Sequence, residues 1–180
     1  MDPEFFEQLA LPLLDSLYNL AHWLTGDRVD AEDLVQETYA KALKGFKSFQ
    51  EGTNLRAWMF RILRNTFLTS RSGLMARNTS SLEDESDEGE AVTAHHNTPE
   101  SVLLRSENQQ LVLDALAALP VHYREILLLC EVEELSYREI AEVLSLPIGT
   151  VMSRLSRARN SLRQELTKMS LPMRSQNEPV

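Results

Sequence analysis

The stretch "SYREIAEVLSLPIGTVMSRLSRARNSL", Ser136 to Leu162, decides the fold of the second half of this chain. It opens with a capping box, because Ser136 stands three residues before Glu139. The segment 145–147 predicts a tight turn between a short helix and a longer one. Apolar residues at helical spacing indicate the faces on which these helices pack: Ile140, Leu144, Leu146, Val151, Leu155 and Leu162. Together these features predict a helix-turn-helix, whose second helix enters the major groove of DNA.

The outward face of the longer helix carries side chains that suit DNA recognition. Arginine can form two hydrogen bonds with a guanine edge, serine and asparagine can bond bases or phosphates, and a helix start attracts a phosphate. The candidates on this face are Ser153, Arg154, Ser156, Arg157 and Asn160. Between Thr150 and Lys168 the net charge is +4, although the whole chain of 180 residues has a formal net charge of -9. Positive charge is therefore concentrated on one element.

Two other interpretations of this segment stay open from the sequence. An amphipathic helical hairpin with solvated arginines has the same periodicity. A stand-alone helix-turn-helix repressor or activator would have the same second half, with the first half used for dimerisation or sensing. Because phosphate neutralisation supplies most non-specific affinity, a chain this acidic is expected to bind DNA weakly by itself. The charge therefore favours a factor that acts with a partner carrying a positive surface.

Helical periodicity divides the chain into two blocks. Residues 1–73 form the first block and residues 99–169 the second, which is predicted to begin with Thr98 as N-cap and Pro99 at the first helical position. No alternating strand pattern of useful length occurs in the sequence. The predicted fold class is therefore all-α, two small helical bundles joined by a flexible acidic linker, the second bundle containing the helix-turn-helix.

The segments outside the two blocks are polar. Residues 74–98 contain an acidic run, which predicts a disordered tether or a segment that mimics nucleic acid in a basic channel. His95 and His96 are adjacent, so they are interpreted as linker residues and not as metal ligands. Residues 170–180 are predicted to be a disordered tail.

Three helices are expected in the first block. The first has Phe6, Leu13, Leu17, Leu20 and Leu24 on one face and ends at the turn signal Gly26–Asp27. The second is expected to have Asp30 as N-cap and Asp33 at the third helical position. Its buried stripe is predicted to be Leu34, Val35, Thr38, Ala42 and Phe46. The third is capped by Asn54 and has an apolar face of Leu55, either Trp58 or Met59, Ile62, Leu63 and Phe67.

Composition excludes several classes of protein. Hydrophobic residues make up 43% and charged residues 25%, as in globular proteins, and the longest apolar run, Ile126–Cys130, is too short to span a membrane. The acidic N-terminus is unlike a signal peptide, so we expect a cytoplasmic protein that does not bind membranes. Cys130 is predicted to be a buried small hydrophobe. The sequence has no phosphate loop, nucleophile elbow or cluster at metal-ligand spacing, so no enzyme, cofactor, metal site or small-molecule substrate is expected.

Two long segments resemble one known family, in the family's order. The segment "LTGDRVDAEDLVQETYAKALKGFKSFQEGTNLRAWMFRILRNTF", Leu24 to Phe67, is similar to region 2 of the extracytoplasmic-function sigma factors, which are small initiation subunits of bacterial RNA polymerase. The segment Ala115 to Arg163 is similar to region 4. The resemblance implies an alternative sigma factor, a monomer that binds core polymerase, directs it to specific promoters and helps to melt the minus-10 region. An adaptor or anti-sigma protein that mimics a sigma factor is a further alternative.

The resemblance assigns a polymerase-binding face to the second helix. Its implied partner is the pair of clamp helices of the β′ subunit, while region 4 would meet the β flap. The residues that match are Asp33, Leu34, Gln36, Glu37 and Thr38. From the residues alone, Asp33 and Glu37 are a solvated pair at i and i+4, with a carboxylate metal site as a less favoured hypothesis.

The loop Ser48–Thr53 and the third helix resemble the element that opens the minus-10 region and captures a flipped base. An aromatic face, a guanidinium group and an amide are what single-strand capture requires. The residues that match are Ser48, Phe49, Arg56, Trp58, Arg61, Arg64 and Asn65. From spacing alone, the interpretation of Trp58 as a residue of the hydrophobic core is favoured.

By the same resemblance, the helix-turn-helix recognises the minus-35 element. The matching positions are Thr150, Ser153, Arg154, Ser156 and Arg157. Met152 is a departure, because many family members carry a basic residue there. The wording "GTNLRAW" and "PIGTVMSRL" resembles a subgroup that answers oxidative stress and is restrained by a zinc-binding anti-sigma factor, and the family assigns the linker to the RNA exit channel.

Overall fold

The structure, a computed structural model, describes residues 3–50, 52–78 and 107–170. These residues form helices and short connections, without a strand among them, so the predicted all-α class is confirmed. Most of the predicted linker, the predicted cap Thr98–Pro99 and the predicted tail from residue 171 lie outside the described residues.

The first bundle contains four helices where the sequence predicted three. They are α1 (Pro3–Ala10), α2 (Leu14–Thr25), α3 (Arg28–Gly45) and α4 (Leu55–Asn78). The prediction of one helix up to residue 25 was wrong, because a 3₁₀ turn at Leu11–Leu13 separates α1 from α2. Pro12 lies in this turn and has no backbone N–H to continue the helical hydrogen bonds. The last helix runs past residue 73 to Asn78, through a segment rich in good helix formers.

Asp27, and not Asp30, caps α3. The Asp27 carboxylate accepts hydrogen bonds from the backbone N–H groups of Val29, at 2.8 Å, and Asp30, at 3.0 Å. Gly26 precedes it with a φ of 73°, a left-handed conformation that ends α2 at little cost for glycine. The expected cap at Asp30 was wrong because only Gly26 and Asp27 separate α2 from α3, so the helix already begins at Arg28.

The core of the first bundle is formed by α2, α3 and α4. The stripe predicted on α3 is buried in full, including Thr38, whose hydroxyl donates to the Leu34 carbonyl at 2.7 Å. On α4 the buried residue of the predicted pair is Met59, while Trp58 is half-buried. Phe60 is fully buried as well, a position that the predicted face omitted.

The second bundle contains α5 (Glu107–Ala118), α6 (Val121–Leu127), α7 (Tyr137–Leu144) and α8 (Ile148–Ser170). α6 continues into a π-helical turn at Leu128–Val132. The capping box of Ser136 and Glu139 starts α7 as predicted, and Ser145 ends α7 with a φ of 54°. α7 and α8 thus form the predicted helix-turn-helix, and Val143 and Ala158 add to its buried contacts.

The two bundles pack against each other, with α2 against α6 and α4 against α7. Arg124, on α6, is 1% exposed and lies at the centre of this contact. Its guanidinium donates to the carbonyl oxygens at the end of α5 and to the Trp23 carbonyl of α2 at 2.9 Å, and it lies over the Trp23 ring. Burial lowers the pKa of Arg124. One side chain therefore stabilises the second bundle and joins it to the first.

Candidate nucleic-acid interfaces

The outward face of α8 is accessible to solvent along its first turns. Ser153, Ser156, Arg157 and Asn160 are exposed, and Thr150 is half-buried. The opposite face is fixed in the core by Val151, Leu155 and Ala158. Because both faces belong to one regular helix, the packing of the apolar face determines where the polar face points. The predicted minus-35 residues are thus brought together on one surface.

Arg154 differs from its neighbours on α8. Arg154 is half-buried and lies near Glu125 of α6. Burial raises the pKa of Glu125, and the charge of Arg154 opposes part of that shift. Arg157, one turn further along, is exposed. The two arginines that the sequence treated as equivalent therefore have different surroundings.

The predicted minus-10 residues lie together on α4 and the segment before it. Phe49 stacks on Phe46, with ring centroids 5.8 Å apart, and the Trp58 ring is 5.2 Å from Phe49. This cluster explains the half-burial of Trp58, since one side of its ring packs on the bundle. Ser48 is exposed, and its hydroxyl donates to the Gly45 carbonyl. Asn54 caps α4 as predicted, accepting from the Arg56 backbone N–H at 3.0 Å.

The predicted polar DNA-binding residues of α4 fall into two groups, one exposed and one paired with carboxylates. Arg61 and Asn65 are exposed. Arg64 forms an ion pair with Glu125 of the second bundle, at 2.9 Å between Nε and Oε1, and its side chain is 17% exposed. Arg56 pairs with Glu133 of the second bundle and donates to the Ser16 hydroxyl at 3.1 Å. Two of the predicted DNA-binding cations are thus bound to carboxylates within the protein.

A cleft separates the predicted base-capture loop from α7. Its first wall includes Phe49, Trp58 and Arg61, and its second wall is formed by Arg138, Glu139 and Glu142 of α7. The Asn54 amide donates to the Glu139 carboxylate across the cleft at 2.6 Å. Two carboxylates and one guanidinium group of the second bundle therefore face the loop.

Two carboxylates at the domain contact, Glu125 and Glu139, have pKa values that are shifted by different causes. Burial raises the pKa of Glu125, while the charge and hydrogen bond of Arg64 oppose that shift. The hydrogen bond from Asn54 lowers the pKa of Glu139, with help from Ser136. Both carboxylates thus depend on a residue of the first bundle for part of their stabilisation.

The predicted polymerase-binding residues of α3 do not form one exposed surface. Asp33, Gln36 and Glu37 are exposed, but Leu34 is 6% and Thr38 0% exposed. Leu34 still forms the floor of a cleft between Asp33 and Glu37. Thr38 is buried in the core, so its side chain lies outside the exposed part of this face. Its predicted contact with the polymerase stays a prediction.

Cys130 is half-buried and close to Arg159, whose Nη2 is 3.8 Å from the sulfur. Burial is the main cause that raises the pKa of the Cys130 thiol, so its reactive thiolate is disfavoured. Within residues 3–50, 52–78 and 107–170 there is no group of three or more potential metal ligands. None of the helices in the same ranges has the length and apolar character needed to cross a bilayer.

Sequence reasoning missed the carboxylates that meet α4. Glu125 and Glu133 are each 5% exposed, although both lie in a segment interpreted only as an apolar core helix. No periodicity distinguishes them, because their partners are 61 and 77 residues away in the chain. A weak signal was available, since a charged residue beside a buried apolar run requires a partner.

Comparison with known proteins agrees with this architecture. The family descriptions "Sigma-70 region 2" and "Sigma-70, region 4" match residues 9–74 and 109–162. The ECF RNA polymerase sigma factor SigE of Mycolicibacterium smegmatis is 34% identical over 92% of this chain, which spans 63% of that protein's length. RNA polymerase sigma factor YlaC of Bacillus subtilis is 32% identical, over 92% of this chain and 91% of YlaC.

A solved structure shares the fold. It is the sigma factor RpoE in complex with the anti-sigma factor NepR from Bartonella quintana, with a TM-score of 0.71 and 35% identity over 93% of this chain and 99% of that chain. Two helical domains with a helix-turn-helix in the second thus define a DNA-binding transcription factor. The chain belongs to the sigma-70 family, within its extracytoplasmic-function group. It is an alternative sigma factor that directs transcription by RNA polymerase.

Proposed function

We propose that this chain brings core RNA polymerase to promoters with a minus-10 and a minus-35 element and helps to melt the minus-10 region. The observation that carries the proposal is the presence of two different candidate DNA surfaces on two unlike domains. One is the exposed face of α8, and the other is the arginine and aromatic surface of α4. Unlike domains suit unlike promoter elements, which favours a monomer over a symmetric dimer.

The exposed face of α8 is proposed to recognise the minus-35 element. Arg157 and Ser153 are accessible for base or phosphate contacts. Arg154 would contribute closer to the domain core, with Thr150 one turn before it, and Ser156 would contribute from the other edge of the face. Met152 is 54% exposed and offers an apolar contact in place of a phosphate contact.

The surface of α4 is proposed to capture the non-template strand of the minus-10 element. A flipped base would enter the cleft beside Ser48 and Phe49, with Trp58 nearby and Arg61 available for a phosphate. Asn65 would contribute from an exposed position further along α4. Arg56 and Arg64 would add phosphate contacts once released from their carboxylates.

The exposed acids and amide of α3 are proposed to dock on the polymerase. Asp33, Gln36 and Glu37 surround the apolar floor at Leu34, an arrangement that suits a basic partner surface such as the β′ clamp helices. The second domain would meet the β flap. Because the chain is acidic, the polymerase supplies the positive surface that promoter binding needs.

An anti-sigma factor is the proposed regulatory partner in the cytoplasm. The support is the Bartonella quintana structure, in which a similar sigma factor is bound by an anti-sigma factor. The finer proposal is a zinc-binding anti-sigma factor and a response to oxidative stress, and it rests on the resemblance of "GTNLRAW" and "PIGTVMSRL" to that subgroup.

Run-off transcription with bacterial core polymerase and genomic fragments tests the proposed function. Wild-type protein is expected to start transcripts at defined sites, whereas Arg154→Ala/Arg157→Ala and Trp58→Ala are expected to lose them. Gln164→Ala, at an exposed position further along α8, serves as the matched control and should behave as wild type. If wild type starts no transcripts but protects DNA from nuclease by itself, a stand-alone regulator replaces the proposal.

A further inference from the structure

We propose that Ile148 and Met152 form an apolar edge of α8 that recognises the C5-methyl group of a thymine in the minus-35 element. This inference rests on the proposed function of α8 and names the chemical group that one edge of the helix contacts. Promoter recognition then combines hydrogen bonds from the arginines of α8 with an apolar contact to one base.

Two large apolar side chains are exposed where α8 begins. Ile148 is 47% exposed and Met152 is 54% exposed. They are four residues apart, so they lie on the same side of the helix, and Ser156 continues this row. Arg154 and Arg157 lie towards the opposite edge of the outward face. Over its first turns, α8 therefore has an apolar edge and a cationic edge.

The core of the second domain does not explain these two apolar residues. The residues of α8 that are buried in this core are Val151, Leu155 and Ala158. Single exposed apolar residues are common on protein surfaces, but Ile148 and Met152 are neighbours and border the face that carries Ser153 and Ser156. Their apolar surface is therefore continuous with the proposed minus-35 interface.

The chemistry of the DNA major groove limits what this edge can contact. Every base pair presents hydrogen-bonding groups there, and thymine adds an apolar group, its C5-methyl. An apolar side chain placed against a hydrogen-bonding edge leaves that edge without a partner, which is unfavourable. Contact with the thymine methyl instead removes apolar surface of both groups from water. The flexible thioether of Met152 can adapt its shape to this contact.

Gly149 leaves space beside the apolar edge. No described atom of the protein lies within 4 Å of the place that a Cβ at this position would take. Packing within the protein therefore does not require glycine here, although glycine is less favourable than alanine inside a helix. Gly149 lies one turn before Met152, so the missing side chain allows DNA to approach α8 closely next to the proposed methyl contact.

The test removes the methyl group from the DNA and the thioether from the protein, separately and together. Holoenzyme is assembled from core polymerase and wild type, Met152→Ala or Met169→Ala, and the DNA is a promoter mapped by run-off transcription. Each thymine of its minus-35 element is replaced in turn by uracil, which lacks only the C5-methyl group. Competition in an electrophoretic mobility shift assay at constant salt measures the ratio of affinities for the two DNAs. Met169 is the matched control, because it is a 39% exposed methionine near the other end of α8.

At one position, the change from thymine to uracil is expected to weaken binding by wild type about four-fold, the effect of one methyl group no longer removed from water. Met152→Ala is expected to bind the two DNAs equally, whereas Met169→Ala keeps the difference. Ile148→Ala should reduce the difference as well. Because the readout compares two DNAs bound by one protein, a variant that only folds or binds polymerase less well leaves the ratio unchanged.

Two results would overturn the inference. One is a minus-35 element in which no change from thymine to uracil weakens binding by wild type, and the other is a Met152→Ala variant that keeps the full difference. If wild type starts transcripts at defined sites in either case, the proposed function stands and only the methyl contact fails. If wild type starts no transcripts with core polymerase, the proposed function fails and this inference fails with it.

Discussion

Both candidate DNA surfaces carry arginines, but these arginines are exposed on one surface and paired with carboxylates on the other. On α8, Arg157 is exposed to solvent, whereas on α4 both Arg56 and Arg64 are paired with carboxylates of the other domain. The local sequence of each helix does not distinguish these states. The packing between the domains, and not the composition of either helix, therefore determines which arginines are accessible to DNA.

The comparison also explains how one acidic chain can carry two basic surfaces. Carboxylates of the second domain pair with Arg56 and Arg64 of α4, while Arg157 on the outward face of α8 stays exposed. DNA can reach Arg56 and Arg64 of α4 only when the two domains separate, and a partner that binds the separated form more tightly favours that separation. The outward face of α8 is already exposed and needs no such partner.

Arg124→Met should have the largest effect, because it removes the link between the domains and the hydrogen bonds to the end of α5. We expect unfolding of the second domain to become easier by about 3 kcal/mol, since several buried acceptors lose a charged donor. Urea unfolding followed by circular dichroism measures this loss. Arg138→Met, at an exposed position on α7, is the control. Equal stability of the two variants would contradict the structural account of Arg124.

Arg157→Ala tests the open surface by itself. Loss of one arginine contact to a base is expected to cost about 1–3 kcal/mol, or roughly ten- to a hundred-fold in transcription from promoters with an intact minus-35 element. Quantitative run-off transcription is the measurement, with Gln164→Ala as control. An unchanged rate would show that the exposed face of α8 does not recognise the promoter.

The two helix caps compare the domains at a smaller scale. Asp27→Ala and Ser136→Ala should each lower the free energy of unfolding by about 1 kcal/mol, because each leaves helix N–H groups without an acceptor. Only Ser136→Ala should also loosen the domain contact, since Ser136 holds Glu139 beside Asn54. Thermal unfolding and small-angle scattering measure the two effects. If Asp27→Ala expands the protein as much as Ser136→Ala does, the two caps do not differ in their effect on the domain contact.

The smallest effect concerns the titration of Glu139. The hydrogen bond from Asn54 lowers the pKa of Glu139 while the two domains are in contact, so this contact favours the charged carboxylate. The contribution of Glu139 to the contact is therefore present above the ordinary pKa range of glutamate and is lost as the pH falls through the lowered value. Carboxyl-selective NMR titration of wild type and Asn54→Ala measures the shift. A pKa that does not rise in Asn54→Ala would contradict the contact.

Local patterns in the sequence were sufficient for the helix-turn-helix. The capping box at Ser136, the turn before Ile148 and the buried face of α8 depend on residues within a few positions of one another. The cap at Asp27 and the break at Pro12 were missed, although both are local. Their signals competed with a second acidic residue and with an apolar stripe that continues through the break.

Local sequence patterns did not predict that arginines of α4 are paired with carboxylates of the other domain. The pairs Arg64–Glu125 and Arg56–Glu133 join residues that are far apart in the chain, and charge alone does not select partners. The half-burial of Trp58 has the same origin, since it depends on packing against Phe49 across the loop. The sequence therefore predicts which residues belong to each surface better than it predicts whether that surface is covered.

The contact between the second domain and α4 in the free chain can be tested by measuring a distance between the two domains in solution. Spin labels at Lys44→Cys and Gln164→Cys, both exposed positions, in a Cys130→Ser background allow measurement by pulsed electron paramagnetic resonance. We expect one narrow distribution of distances between the two labels in the free chain, and a longer distance after addition of core polymerase. A broad distribution in the free chain, unchanged by polymerase, would contradict it.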